Sequence, residues 1–209
     1  MKDLFKGCWT IPNLLSLIRI VLIPVFAVLF YNGEYLWAVF VLFLSAISDT
    51  LDGRIARRFN QISALGKILD PVADKLTQIT IAVMLFLEFR KPESGKAMNI
   101  FAWVFLFFLA KELIMILGGL FMLCKGLRPG AAEIYGKIAT LVFYSVMTLI
   151  IAFGPSFGAF TNLGLAPMPE WLIMILVVIS AIATLVAFCS YIPGFFAEIK
   201  KAKKSEESK

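Results

Sequence analysis

The chain contains no histidine among its 209 residues and only three cysteines, Cys8, Cys124 and Cys189, each far from the others. Without histidine or a C-x-x-C pair, a zinc site has no ligands of the usual kind, and there is no disulfide framework to find. The same absence limits catalysis. A general base near neutral pH must be a carboxylate, a lysine, a tyrosine or a cysteine. Charge is scarce as well, at 16% of residues, and no internal repeat or long polar tract sets apart an aqueous domain. No separate basic domain exists to hold a nucleic acid. The first apolar run carries Arg19 and Pro24 and lacks a small-residue cleavage site, so it is expected to be a retained span rather than a signal peptide.

What is abundant is apolar sequence. Hydrophobic residues make up 60% of the chain, and the mean hydropathy is +0.89. Six runs approach the roughly 20 residues a helix needs to cross the hydrocarbon. They are Ile11–Tyr31, Tyr35–Arg57, Lys67–Phe89, Met98–Cys124, Glu133–Phe153 and Trp171–Phe196. The expected architecture is an all-α integral membrane protein of six transmembrane helices. The opening MKDLFKGCWT mixes lysines with Leu4, Phe5 and Trp9, which suits a short interfacial helix. Residues 1–199 form one membrane domain, and 200–209 a charged cytoplasmic tail.

Basic residues set the expected orientation. Lys2, Lys6, Arg54, Arg57, Arg58, Lys67, Lys125, Arg128 and the tail lysines fall on one side, which is therefore placed in the cytoplasm of a cell membrane. The loops NGE and GPSFGAFTNLGLAPMPE on the other side have neither Lys nor Arg; only Arg90, Lys91 and Lys96 argue against this assignment. The net charge of +6 is thus gathered beside membrane spans, where it also attracts anionic lipid.

Four aspartates interrupt the apolar pattern: Asp49, Asp52, Asp70 and Asp74. A carboxylate at membrane depth is costly unless it is paired, bound to a metal or set in a wet cavity. The first pair is three residues apart and the second four, so each pair shares a helix face. One pair closes the second span and the other opens the third, with Pro71 in the first turn of that helix and a short turn through Arg58–Leu65 between them. All four then converge at one membrane–water boundary. Oxygen donors without His or Cys favour Mg²⁺, Mn²⁺ or Ca²⁺, ions that commonly serve phosphate and diphosphate substrates. Gly53, Ala56 and Gly66 leave room for close approach, and Arg54, Arg57 and Arg58 offset negative charge. Solvated Asp–Arg caps and simple helix packing would account for any one of these residues, though poorly for all of them together.

The segment reads D-x-x-D-G-x-x-A-R, then eight residues, then G-x-x-x-D-x-x-x-D. It resembles the signature of the CDP-alcohol phosphotransferase (phosphatidyltransferase) family, membrane enzymes of phospholipid synthesis. Every specified position is filled: Asp49, Asp52, Gly53, Ala56, Arg57, Gly66, Asp70 and Asp74. The likeness extends to the opening IPNLLSLIRIVLIP, covers most of the chain and weakens past Thr140. It implies transfer of the phosphatidyl group of CDP-diacylglycerol to an alcohol with release of CMP, and a homodimer. It further implies Mg²⁺ or Mn²⁺ on Asp49, Asp52, Asp70 and Asp74, with Asp74 also the base for the acceptor hydroxyl. Asp52, Gly53, Ala56, Arg57 and Gly66 would meet CDP-diacylglycerol.

The acceptor is less plainly written. Lys111 and Glu112 lie in mid-span, where Lys111 either reaches a cavity to meet an anionic acceptor or snorkels and pairs with Glu112. Arg128, Lys137 and Arg19 are candidates to join it. IPNLLSLIRIVLIPVF and RRFNQISALGKILDPVADK are similar to phosphatidylglycerophosphate synthases, which implies glycerol 3-phosphate as acceptor. Those enzymes tend to carry an arginine two turns beyond the Lys111 position, and here Gly119 stands there. KELIMILGG and Gly136–Thr140 resemble the cardiolipin synthases of the same family, which implies phosphatidylglycerol. The balance leans slightly to glycerol 3-phosphate. A cation transporter or channel with the acids as a selectivity ring is the reading from another class, although acids at one mouth suit a permeation path poorly.

Overall fold

The computed structural model describes residues 10–58, 66–92, 95–124, 134–155 and 157–207. The expected N-terminal interfacial helix, the turn after Arg58 and Arg128 lie outside the described residues. Among the described residues there are six long helices: α1 (Ile11–Tyr31), α2 (Tyr35–Arg58), α3 (Gly66–Phe89), α4 (Gly95–Cys124), α5 (Ile134–Phe153) and α6 (Glu170–Glu207). No strand occurs among the described residues.

Local signals explain the boundaries. Thr10 caps α1, its hydroxyl accepting from the Asn13 amide at 3.4 Å, and Pro12 occupies the first turn where no amide donor is needed. At the other end α1 turns into α2 through Gly33, whose φ of +81° is a backbone conformation that glycine adopts without strain. Two elements differ from expectation. α3 starts at Gly66, so Pro71 sits beyond its first turn and deletes one interior hydrogen bond. α6 does not stop at the hydrocarbon edge near Phe196 but continues to Glu207. The extension EIKKAKKSEE is made largely of good helix formers, so leaving the apolar layer does not end the helix.

Four helices are long and apolar enough to cross a membrane: Asn13–Tyr31, Gly95–Met122, Ile134–Phe153 and Glu170–Ala197. α2 supplies a shorter apolar stretch, Tyr35–Ser48, before its acidic and basic end. α3 is broken by Asp70, Asp74, Lys75 and Glu88. The structure is therefore that of a multi-pass membrane protein whose two less apolar helices are the ones bearing the acids.

The helices pack as a ring in the order α1, α2, α5, α6, α4, α3, with α3 returning to α1. Leu14, Val21, Trp103, Leu117 and Ile182 stand exposed on the outside, as lipid-facing residues do. The core gathers toward the end where α1 meets α2, around Phe26, Phe30, Phe89, Phe105, Met147 and Ile150. The segment between α5 and α6 folds back onto this end, burying Phe157 completely. The opposite end, where α1 and α3 begin and α2 finishes, holds the acids.

Candidate active site

The inward face of α1 at the acidic end is polar: Asn13, Ser16 and Arg19 recur every third residue and all are buried. Ser16 Oγ donates to Oδ1 of Asp70, tying α1 to the second turn of α3. One turn further along α3, Asp74 is gripped from two sides. Gln78 Nε2 donates to its Oδ2 at 3.1 Å, and Tyr144 of α5 donates to its Oδ1 at 3.0 Å. The Tyr144 hydroxyl also lies 3.2 Å from the Asp74 carbonyl oxygen. Tyr144 on α5 thus reaches Asp74 on α3, and the carboxylate is partly buried.

Beyond Asp74 a cavity with ≈ 550 Å³ of empty space, part of it open to the outside, separates the α3–α4 pair from the α5–α6 pair. Lys75, Lys111 and Glu112 form an ion cluster in its wall. Lys75 Nζ lies 2.8 Å from Glu112 Oε2, and Lys111 pairs with Glu112 Oε1. Glu112 is buried, its side chain 4% exposed, while Lys75 and Lys111 reach the surface at 30% and 15%. The hydroxyls of Thr140, Thr184 and Tyr191 complete the polar lining. Gln78 lines the cavity and donates to Asp74, which stands just behind the lining.

Of the residues singled out by sequence, Asp70 and Asp74 lie one turn apart as expected, and Gly66 opens α3 and is buried. Asp49, Asp52, Gly53, Ala56 and Arg57 fall on the last turns of α2; their side chains lie outside the described residues. Lys111 lines the cavity and is at the same time paired with Glu112. Lys137 is exposed in the first turn of α5, next to Gly136 of the cavity wall. Arg19 is buried beside Ser16 on α1 rather than in the cavity lining. Ser16, Lys75, Gln78 and Tyr144 were not singled out. Lys75 and Gln78 adjoin or follow Asp74 by one turn, and Ser16 precedes Arg19 by three; Tyr144 gave no signal inside its apolar run.

The donor set suits a hard divalent cation. Asp70 and Asp74 present carboxylate oxygens that accept from the neutral donors Ser16, Gln78 and Tyr144, and carboxylate oxygens are the ligands such an ion takes. Among the described residues no three carboxylates gather; the side chains of Asp49 and Asp52, the other two acids of the signature, lie outside them.

A profile of the CDP-alcohol phosphatidyltransferase family matches residues 9–186. The chain is 36% identical over 152 residues to a cardiolipin synthase (CMP-forming) of Streptomyces coelicolor, covering 69% of this chain and 66% of that protein. It is 35% identical over 141 residues to a CDP-diacylglycerol–glycerol-3-phosphate 3-phosphatidyltransferase of Aquifex aeolicus, covering 68% and 74%. A putative cardiolipin synthase of Mycobacterium tuberculosis is 35% identical over 136 residues, covering 64% and 60%. The alignment thus spans less than two thirds of the first and third of these relatives, 66% and 60%, and 74% of the second. The match runs from before α1 into α6 and includes the whole acidic end. This chain belongs to the CDP-alcohol phosphatidyltransferase family.

Proposed function

We propose that the chain is a membrane-embedded phosphatidyltransferase that moves the phosphatidyl group of CDP-diacylglycerol to an alcohol and releases CMP. The observation that carries this reading is the placement of Asp74 between Tyr144 and Gln78, the second of which lines the cavity beside it. An acceptor in that cavity presents its hydroxyl to a carboxylate whose two oxygens are already oriented. In a chain without histidine this is the natural base. The hydroxyl oxygen bonds to the phosphorus that carries diacylglycerol. The bond from that phosphorus to the CMP oxygen breaks, CMP leaves with the electron pair, and the hydroxyl proton passes to Asp74.

Mg²⁺ or Mn²⁺ held by Asp49, Asp52, Asp70 and Asp74 would neutralise the diphosphate and stabilise the departing CMP. Asp52, Gly53, Ala56, Arg57 and Gly66 would border the nucleotide, by their place in the family signature. All six helices cross the membrane in this reading, α2 and α3 with their acidic ends at the cytoplasmic surface of the cell membrane, and the chain works as a homodimer. Lys111, with Arg128, Lys137 and Arg19 as further candidates, serves the acceptor. Glycerol 3-phosphate and phosphatidylglycerol are the two acceptors in question. Nucleic acid has no part in it.

The test is CMP release by purified protein in detergent with CDP-diacylglycerol, Mg²⁺ and each acceptor in turn. Asp74→Asn is expected to abolish release while CDP-diacylglycerol still binds. Substantial turnover by that variant would refute the base assignment, and metal-independent release would refute the cation site.

A further inference from the structure

The three basic residues that run against the expected orientation, Arg90, Lys91 and Lys96, stand together where α3 ends and α4 begins. Lys91 is engaged by Glu88. Among the described residues, neither Arg90 nor Lys96 has a carboxylate oxygen within 4.0 Å. Glu170 stands beside Gly95 without pairing with either, and the side chain of Glu93 lies outside the described residues. α4 turns Met98, Ala102 and Phe105 into the core. Lys96, Ile100, Trp103 and Phe107 recur with the same spacing on its outward face, Ile100 70% and Trp103 56% exposed. Arg90 lies against this outward face. Its Nη1 donates to Asn99 Oδ1 at 2.6 Å, and its guanidinium carbon is 5.6 Å from the centre of the Trp103 ring. Trp103 is braced by Phe86, with centroids 6.2 Å apart, and Asn99 Nδ2 donates back to the Arg90 carbonyl at 3.4 Å. A long cationic side chain at a membrane edge ordinarily extends toward water; this one is drawn back along α4 to the level of its second and third turns.

We infer that this surface binds the headgroup of an anionic phospholipid in the leaflet opposite the acids. The parts match such a lipid from head to tail. Arg90 and Lys96 supply two positive charges, and the N–H donors of the guanidinium left over from Asn99 suit two phosphate oxygens at once. Held over Trp103 and tied to Asn99, the guanidinium is ordered before the lipid arrives, so little side-chain freedom is lost on binding. Beside it Trp103 and Phe107 continue as an apolar strip along which an acyl chain lies. A zwitterionic headgroup brings its own ammonium, which two cations repel; an anionic one complements them. The depth is right as well. The apolar span of α4 has 28 residues and is about 42 Å long against a hydrocarbon layer of about 30 Å, so its ends stand among the headgroups. A water-soluble anion would use the cations and leave the apolar strip bare, which makes a lipid the occupant.

The experiment follows thermal unfolding of the purified full chain in an uncharged detergent with added phosphatidylserine or phosphatidylcholine, neither of them the proposed donor or an acceptor in question. At saturation phosphatidylserine is expected to raise the unfolding temperature by about 5 °C more than phosphatidylcholine does, as a ligand of the folded state alone. Arg90→Gln and Lys96→Gln are each expected to weaken phosphatidylserine binding by about tenfold, the value of one charge-assisted contact, and together to erase the difference between the two lipids. Arg90→Lys keeps the charge without the planar fork and is expected to recover only part of the affinity. Lys96 is exposed in the first turn of α4, so its substitution leaves the packing intact and carries the test alone if the Arg90 variants unfold. Equal shifts from the two lipids, a phosphatidylserine shift that survives these substitutions, or an equal shift from inorganic phosphate without lipid would each overturn the inference.

Discussion

The hydroxyl of Tyr144 on α5 donates to Oδ1 of Asp74 on α3, 3.0 Å away and 70 residues earlier in the chain. With Gln78 on the other oxygen, it fixes the plane of the carboxylate proposed to take the acceptor's proton. A hydrogen bond to a charged group contributes about 1.5–3 kcal/mol. Tyr144→Phe removes the donor and keeps the ring packed against Phe143, 5.9 Å away between centroids. Its kcat is expected to fall by about 10- to 100-fold, the rate equivalent of that energy, with KM for CDP-diacylglycerol little changed. Steady-state kinetics on the variant decide the matter: a fall confined to KM would mean that Tyr144 shapes binding and does not orient the base.

Ser16 occupies the corresponding place for Asp70. Its hydroxyl reaches across from α1 to a carboxylate expected to ligate the cation, which makes it an outer partner of the metal site. Loss of such partners typically weakens metal affinity by about 10- to 100-fold. Ser16→Ala is expected to raise the Mg²⁺ concentration needed for half-maximal activity by that order, and Ser16→Thr to restore most of it. A metal titration that is the same for Ser16→Ala and the parent chain would remove Ser16 from the site.

Part of this end of the molecule was legible because helical spacing alone aligns Asp70 with Asp74, whereas the same spacing of Asn13 and Ser16 with Arg19 drew no expectation. What could not be read was anything that depends on which helices are neighbours. Lys75 and Glu112 lie 2.8 Å apart yet on different helices, and no spacing rule pairs them. Tyr144 in an apolar run looks like any aromatic of a membrane span until α5 is placed opposite α3. Lys111 was expected either to pair with Glu112 or to reach a cavity; it does both, because the ion pair itself is set in the cavity wall. Pro71 lies outside the first turn expected for it, since α3 begins at Gly66, one residue before the expected Lys67.

At the other end of the bundle, beyond α3, Lys91 lies 2.7 Å from Glu88, which also accepts from the Tyr35 hydroxyl at 3.2 Å. Burial pushes the Lys91 ammonium down, but the hydrogen bond and charge of Glu88 outweigh it and hold the group above its ordinary value of 10.5. A lysine whose folded pKa is raised stabilises the fold fully below its unfolded pKa and loses that contribution as pH rises through the folded one. Thermal unfolding in detergent, scanned from about pH 9 to about 12 across the lysine range, is expected to show the parent chain losing its advantage over Lys91→Met only at the alkaline end. An advantage that already disappears near neutral pH would contradict the assignment.

The segment from Gly154 to Pro169 has neither charge nor helical periodicity to announce a role, yet it closes the end of the bundle away from the acids. Its backbone returns onto the last turn of α5: Ala159 N donates to Ile151 O at 3.0 Å and Phe160 N to Ala152 O at 2.8 Å. Gly158 permits this tight return, since a Cβ there would stand 2.5 Å from the Gly154 carbonyl oxygen. The fold-back drives the Phe157 ring between helices, with centroids 5.7 Å from Phe89, 6.1 Å from Tyr35 and 6.4 Å from Phe30. These rings belong to α3, α2 and α1, so one loop side chain joins three helices. Truncating a buried phenylalanine costs about 3–5 kcal/mol, a large share of the stability of any domain. Phe157→Ala is therefore expected to lower the unfolding temperature markedly while the protein that remains folded keeps its KM for both substrates, because the ring lies at the end of the bundle opposite the acids. A variant that unfolded as the parent does but lost substrate affinity would show that this plug acts on the site and not on the fold.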